Sequence, residues 1–244
     1  YLLTSTASTP LYGKISDLYG RRPVFQFAII TFLIGSFAAG AATSMTQLIA
    51  FRAVQGLGAG GLMSLTFVII GDIISPRERG KYEGYFGGVW GLSSVAGPLL
   101  GGYFSDHAQI LGVTGWRWIF YINLPFGIAA LIITSMSLHI PKVKREHSID
   151  YLGALLLVSG VSALLLGISV YGPQDGWQSS KTLLTLAAAL ALILLFIFQE
   201  SRAKEPILPL TLFKNHTFSV TSGMAFIIGA GMFGAIIMLP LYLQ

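Results

Sequence analysis

The sequence has no cysteine and very little charge. Without thiols there is no disulfide framework and no thiolate metal site. Charged residues make up 10% of the chain, well under half of the roughly 25% found in a soluble globular domain. The shortage is uneven. No Asp, Glu, Lys or Arg occurs in 24–51, 53–71, 84–105, 118–138, 151–174, 182–199 or 217–244. A helix rises about 1.5 Å per residue and a bilayer core is roughly 30 Å thick, so about 20 apolar residues cross it. All of these runs reach that length or fall a residue short of it, except 182–199, which is slightly shorter. Such runs, in a chain that is 54% hydrophobic, exclude a soluble domain and predict an all-α integral membrane protein.

Other absences narrow the chemistry. His107, His139, His147 and His216 sit in loops or at helix ends with no other ligands near them in sequence, so no metal site is predicted. No intramembrane cluster of paired acids or histidines suggests an enzyme, and nothing calls for a cofactor. No pore loop or charged ring suggests a channel. The net charge of +5 comes from loop residues and needs no nucleic-acid partner. Asn215-His216-Thr217 has the form of a glycosylation sequon, but the orientation derived below puts it in the cytoplasm. Glu83 and Asp150 fall at helix ends, where capping or solvation explains them. The chain opens at Tyr1 without a methionine, and 1–12 would rise only about 18 Å as a helix. It reads as a fragment that starts inside one membrane helix.

The expected elements are a truncated helix at 1–12 and helices near 24–42, 47–71, 82–104, 118–139, 151–171, 182–199 and 217–240. The loops between them alternate in charge. Twelve of the fifteen basic residues lie in 13–23, 75–81, 140–150 and 199–216, and only Arg117 and Lys181 lie in the opposite set. Lys/Arg bias in short loops sets topology, so the basic set faces the cytoplasm and the protein is multi-pass in the inner or plasma membrane. Trp116, Trp118, Tyr121, Tyr171 and Trp177 mark the opposite interface.

Three stretches carry chemistry. At 13–22 the chain reads Gly-Lys-Ile-Ser-Asp-Leu-Tyr-Gly-Arg-Arg. Gly13 suits a close helix approach, and Asp17 suits the positive end of a helix dipole. Arg21 and Arg22 can pair with carboxylates at neighbouring helix ends, with Asp72 the obvious candidate. Gly13, Asp17, Gly20, Arg21, Arg22 and Asp72 together form a candidate conformational latch.

The fifteenth basic residue, Arg52, falls inside a helix, where insertion costs roughly 2.5–3.5 kcal/mol. A partner or a wet cavity is therefore expected. Gln55, on a similar face, is a candidate for the same proton or substrate pathway. Gly56, Gly58 and Gly61 spell GxGxxG, but a dinucleotide site needs a preceding strand and these glycines are mid-helix. They read as a packing face, with Gly56 and Gly60 at small-xxx-small spacing.

Helix 82–104 has glycine at 84, 87, 88, 91, 97, 101 and 102, with Pro98 after Gly97. Ser93, Gly97 and Gly101 form a stripe suited to close helix contact, and Pro98 is expected to bend the helix.

The 13–22 stretch matches the signature loop of the major facilitator superfamily, G-x-x-x-D-x-x-G-R-R/K, and the chain is identified as a partial helical bundle of that family. Phe51 to Gly61 resembles the family's arginine-bearing helix. Gly91 to Gly102, with Gly97, Pro98, Gly101 and Gly102, resembles the motif that marks its antiporters. The stretches 116–125, 149–153 and 206–213 resemble the branch of drug:proton antiporters with fourteen membrane helices. The resemblance implies that 1–139 is an N-terminal bundle lacking its first helix. It makes 140–205 two linking helices and 206–244 the start of a C-terminal bundle. It further implies a monomeric transporter that exports amphipathic or cationic drug-like molecules and confers antibiotic resistance. A proton gradient rather than a cofactor supplies the energy. The rivals are a metabolite or sugar facilitator or symporter of the same fold and, more remotely, a non-transporting receptor or scaffold.

Overall fold

The computed structural model describes residues 1–138 and 150–243, with side chains placed up to 232. Of the expected basic turn at 140–150, residues 140–149 lie outside the described residues, as do His139 and His147. Almost everything else is helix. Helix α1 spans Leu2–Tyr19, α2 Arg21–Ala41, α3 Met45–Ile73 and α4 Arg79–Asp106. A helix with a 3-10 first turn, α5, spans Gly115–Ser137; α6 spans Tyr151–Asp175, α7 Ser180–Arg202 and α8 His216–Leu243. Among the described residues α2, α3, α5, α6 and α7 are long and apolar enough to cross a membrane. The glycines, serines and proline of α4 dilute its hydropathy.

The first boundary differs from expectation. The stretch 13–19 continues α1, and the break is the single residue Gly20, at φ 95° and ψ 150°. A side chain would be strained there, so glycine ends one helix and starts the next within one residue. Asp17 therefore lies in the last turn of α1 and caps no helix N-terminus; α2 begins at Arg21, just after Gly20, with no side-chain cap.

The other starts follow capping chemistry. Ser44 Oγ accepts the Gln47 N–H at 3.3 Å while Gln47 Oε1 accepts the Thr43 N–H at 3.0 Å. Asp150 and Ser179 cap α6 and α7. Between α4 and α5 the chain forms a small hairpin, Gln109–Ile110 against Val113–Thr114. Its turn residues Leu111 and Gly112 both have positive φ, as a tight two-residue turn requires. The apolar periodicity on either side does not reveal this hairpin.

Helix α3 is the centre of the packing. It lies between α1 and α2, and α2 in turn packs on α5. Tyr12, Val24, Ala28 and Leu65 form the buried core where α1, α2 and α3 meet. Helices α6 and α7 pair as a hairpin whose α6 leans on α1. Near its end α6 widens into a π-turn, Gly167–Tyr171. Helix α4 has no buried residue.

Candidate functional site

The glycines of α3 explain its central place. Gly56 and Gly60 face α1, where an added methyl group would collide with Tyr1 and Thr4, or with Ser5 and Ser8. Gly58 faces the backbone of Ala28 and Phe32 in α2. The small-residue spacing thus brings α3 against both neighbours at once.

That close packing places Arg52. Its Nη1 donates to Gln55 Oε1 at 2.8 Å, and Gln55 Nε2 donates to Ser36 Oγ at 2.5 Å. Gln55 and Ser36 are buried, at 2% and 0% exposed. The guanidinium also lies over the Tyr1 ring, 4.3 Å from its centroid, and 5.6 Å from that of Phe120. Among the described residues no carboxylate contacts Arg52. Its charge is held by an amide dipole and two aromatic faces, the arrangement left when an intramembrane cation has no fixed anion. Ser36, Tyr1 and Phe120 were not singled out in the sequence; nothing in their spacing distinguishes them from ordinary packing residues.

A second cluster forms where α1, α2 and α3 end together. Arg21 Nε donates to Asp72 Oδ2 at 2.7 Å, and Arg21 Nη1 lies 2.5 Å from both Asp17 Oδ1 and Ser16 Oγ. Asp17 and Asp72 are 42% and 40% exposed in their side chains. Exposed pairs of this kind contribute about 0–1 kcal/mol each. They are weak enough to be exchanged.

Arg22 points elsewhere. Its Nη2 donates to the Ser135 carbonyl at 2.7 Å, among the orphan carbonyls ending α5, while Gln26 Nε2 donates to Ser135 Oγ at 2.8 Å. Pairing of Arg22 with a carboxylate is thus replaced by capping of α5. Gly13 also departs from expectation, since a methyl group added there meets nothing within 4 Å. A close approach does not explain it.

The glycines of the antiporter-like motif make no close helix contact among the described residues. Gly91, Gly97, Gly101 and Gly102 each have no neighbour within 4 Å of an added methyl group. Their stripe touches no helix among the described residues, and α4 runs as one helix through Pro98. What anchors α4 is at its ends. At the first, Arg79 donates to Gly71 and Ile74 carbonyls and Phe86 meets Phe67. At the other, Gly115 sits close under Phe104 and His107.

Comparison with known proteins agrees with this architecture. The sequence profile of the Major Facilitator Superfamily matches residues 1–244. The chain is 42% identical over 244 residues to "Multidrug transporter protein MdtP" of Bacillus subtilis, covering all of this chain and 44% of that protein. It is 37% identical to "Multidrug resistance protein 3" of the same organism, covering 46% of it. It is 35% identical over 252 residues to "Efflux pump FUS6" of Gibberella moniliformis, covering 44% of it. The chain spans less than half the length of these relatives. Its profile match and its apolar helices make it a multi-pass membrane protein that belongs to the Major Facilitator Superfamily.

Proposed function

We propose that the full-length protein exports amphipathic or cationic small molecules in exchange for protons, by alternating access across the inner or plasma membrane. The relatives' names support the cargo class. The observation that carries the mechanism is the Asp17–Arg21–Asp72 cluster, three exchangeable charges joining the ends of three helices. In this reading residues 1–139 belong to one bundle, 140–205 form two linking helices, and 206–244 open a second bundle. The two bundles rock around a midplane site. The charge trio latches one face closed, and Gly20 sets the break between α1 and α2 from which Arg21 reaches both carboxylates.

Arg52 and Gln55 line the proton or substrate path. A cation beside the path favours deprotonation of a nearby carboxyl. The charge-free membrane runs contain no such acid. Gly91, Gly97, Pro98, Gly101 and Gly102 shape the face of α4 that meets the second bundle. The transporter works as a monomer, with the proton gradient in place of any bound cofactor.

The test is ethidium transport by the full-length protein in inverted membrane vesicles. An imposed proton gradient drives ethidium accumulation in the vesicles, and an ionophore stops it. Accumulation that is unaffected by the ionophore contradicts proton exchange; no accumulation with either polarity of gradient contradicts export.

A further inference from the structure

Glu200 is buried at 3% exposure, the one acidic or basic residue among the buried side chains of the described residues. An ionised carboxylate removed from water is costly unless its oxygens are hydrogen-bonded. Here both are. Oε1 accepts the Ile207 N–H at 3.1 Å and Oε2 the Leu208 N–H at 3.0 Å.

The residues that follow explain why those donors are free. Helix α7 ends at Arg202, and Pro206 and Pro209 flank the two amides. Proline has no N–H and biases its predecessor towards extended backbone, so 206–209 cannot wind into a helix and satisfy its own donors. The carboxylate of α7 therefore holds the start of the segment leading into α8.

The same junction grips α6. Gln199 Nε2 donates to Asp150 Oδ1 and Oδ2 at 3.2 and 3.1 Å, and Asp150 caps α6 through the Gly153 N–H at 2.8 Å. Gly153 has no room for a side chain: an added methyl group would lie 2.7 Å from Asp150 Oδ2 and 3.1 Å from Glu200 Oε1. Just before Pro206, Glu205 Oε2 lies 3.4 Å from Lys14 Nζ of α1. The linking hairpin and the first residues of the connector are thus fastened to each other and to α1.

We propose that Glu200 is a positioning residue for transport: it clasps residues 207–208 to the linking hairpin, which moves with α1. The pivot between the bundles then falls after Leu208, in the short segment through the 3-10 turn Leu210–Lys214. This inference rests on the alternating-access reading above.

The test uses the full-length protein with cysteine pairs carrying spin labels, introduced where the chain has none. Distances are compared with and without ethidium. The Ser201→Cys/Leu208→Cys pair should give one narrow distance in both conditions, whereas Ser201→Cys/Thr217→Cys should change. In ethidium efflux, Glu200→Gln leaves one buried N–H without an acceptor. It should lower Vmax about tenfold at unchanged KM, the loss of one charge-assisted hydrogen bond. It should also broaden the 201–208 distance, while Glu200→Asp, which keeps the carboxylate, recovers part of the rate.

A 201–208 distance that moves with ethidium in the otherwise unaltered protein overturns the proposal. So does a Glu200→Gln protein with normal Vmax and a narrow distance. If Glu200→Gln does not fold, the otherwise unaltered pair still decides. A full-length protein without efflux would count against the transport reading alone, because the clasp is read from distances.

Discussion

Two glycine-rich helices of this chain look alike in sequence and behave in opposite ways. In α3, Gly56, Gly58 and Gly60 are pressed against backbone of α1 and α2; in α4, Gly91, Gly97, Gly101 and Gly102 face open space. Lipid tails give no hydrophobic reward for helix association, so small residues act by allowing close contact. An open glycine face does nothing for the fold that contains it. The difference teaches that glycine spacing alone does not make a contact: α3 is packed from both sides, while the glycine face of α4 is uncovered among the described residues.

The largest effect should come from filling α3. Gly58→Ala places a methyl group into the backbone of Ala28 and Phe32, and overpacking of this kind costs about 1–3 kcal/mol. Thermal unfolding of the detergent-purified full-length protein should shift clearly downward, with efflux falling in parallel. Next comes Gly97→Leu in α4. It should leave the unfolding temperature near that of the unaltered protein and abolish efflux, separating assembly of the bundle from its engagement.

Where α1, α2 and α3 end together, Asp17→Asn removes one arm of the Arg21 cluster while Asp72, at the end of α3, keeps the other. Efflux should be lost at normal protein levels in the membrane; near-normal efflux would remove the latch. Arg52→Lys keeps the charge but loses the planar group spanning Gln55 and the rings of Tyr1 and Phe120. It should slow efflux without stopping it. Smallest of all is Gly13→Ala, where the added methyl group meets nothing. It should be neutral or slightly stabilising through helix propensity.

The long helices were legible because hydrocarbon imposes both length and apolarity on any segment that crosses it. The first boundary was not. Lys14, Ser16 and Asp17 have the composition of a loop, yet they extend α1 as far as Gly20, where backbone sterics rather than polarity end it. Arg21 and Asp72 could be paired in advance because both are charged residues at helix ends on the same side. Arg22 could not, since its acceptor is a backbone carbonyl, and every residue carries one. Nothing in the sequence singles out Glu200; the return of the Pro206–Pro209 segment is what buries it. Most instructive are the glycines: the spacing in α3 and α4 says that contact is possible, and only three-dimensional packing says with what.

The contrast between the two helices can be measured with a single cysteine at position 97 of the full-length protein. Its reaction rate with a small maleimide is followed with and without ethidium under a proton gradient. If the open face of α4 meets and leaves a second bundle during transport, that rate should change severalfold between the two conditions. A rate that is the same in both, in a protein that still exports ethidium, would mean that the face of α4 never engages a moving partner.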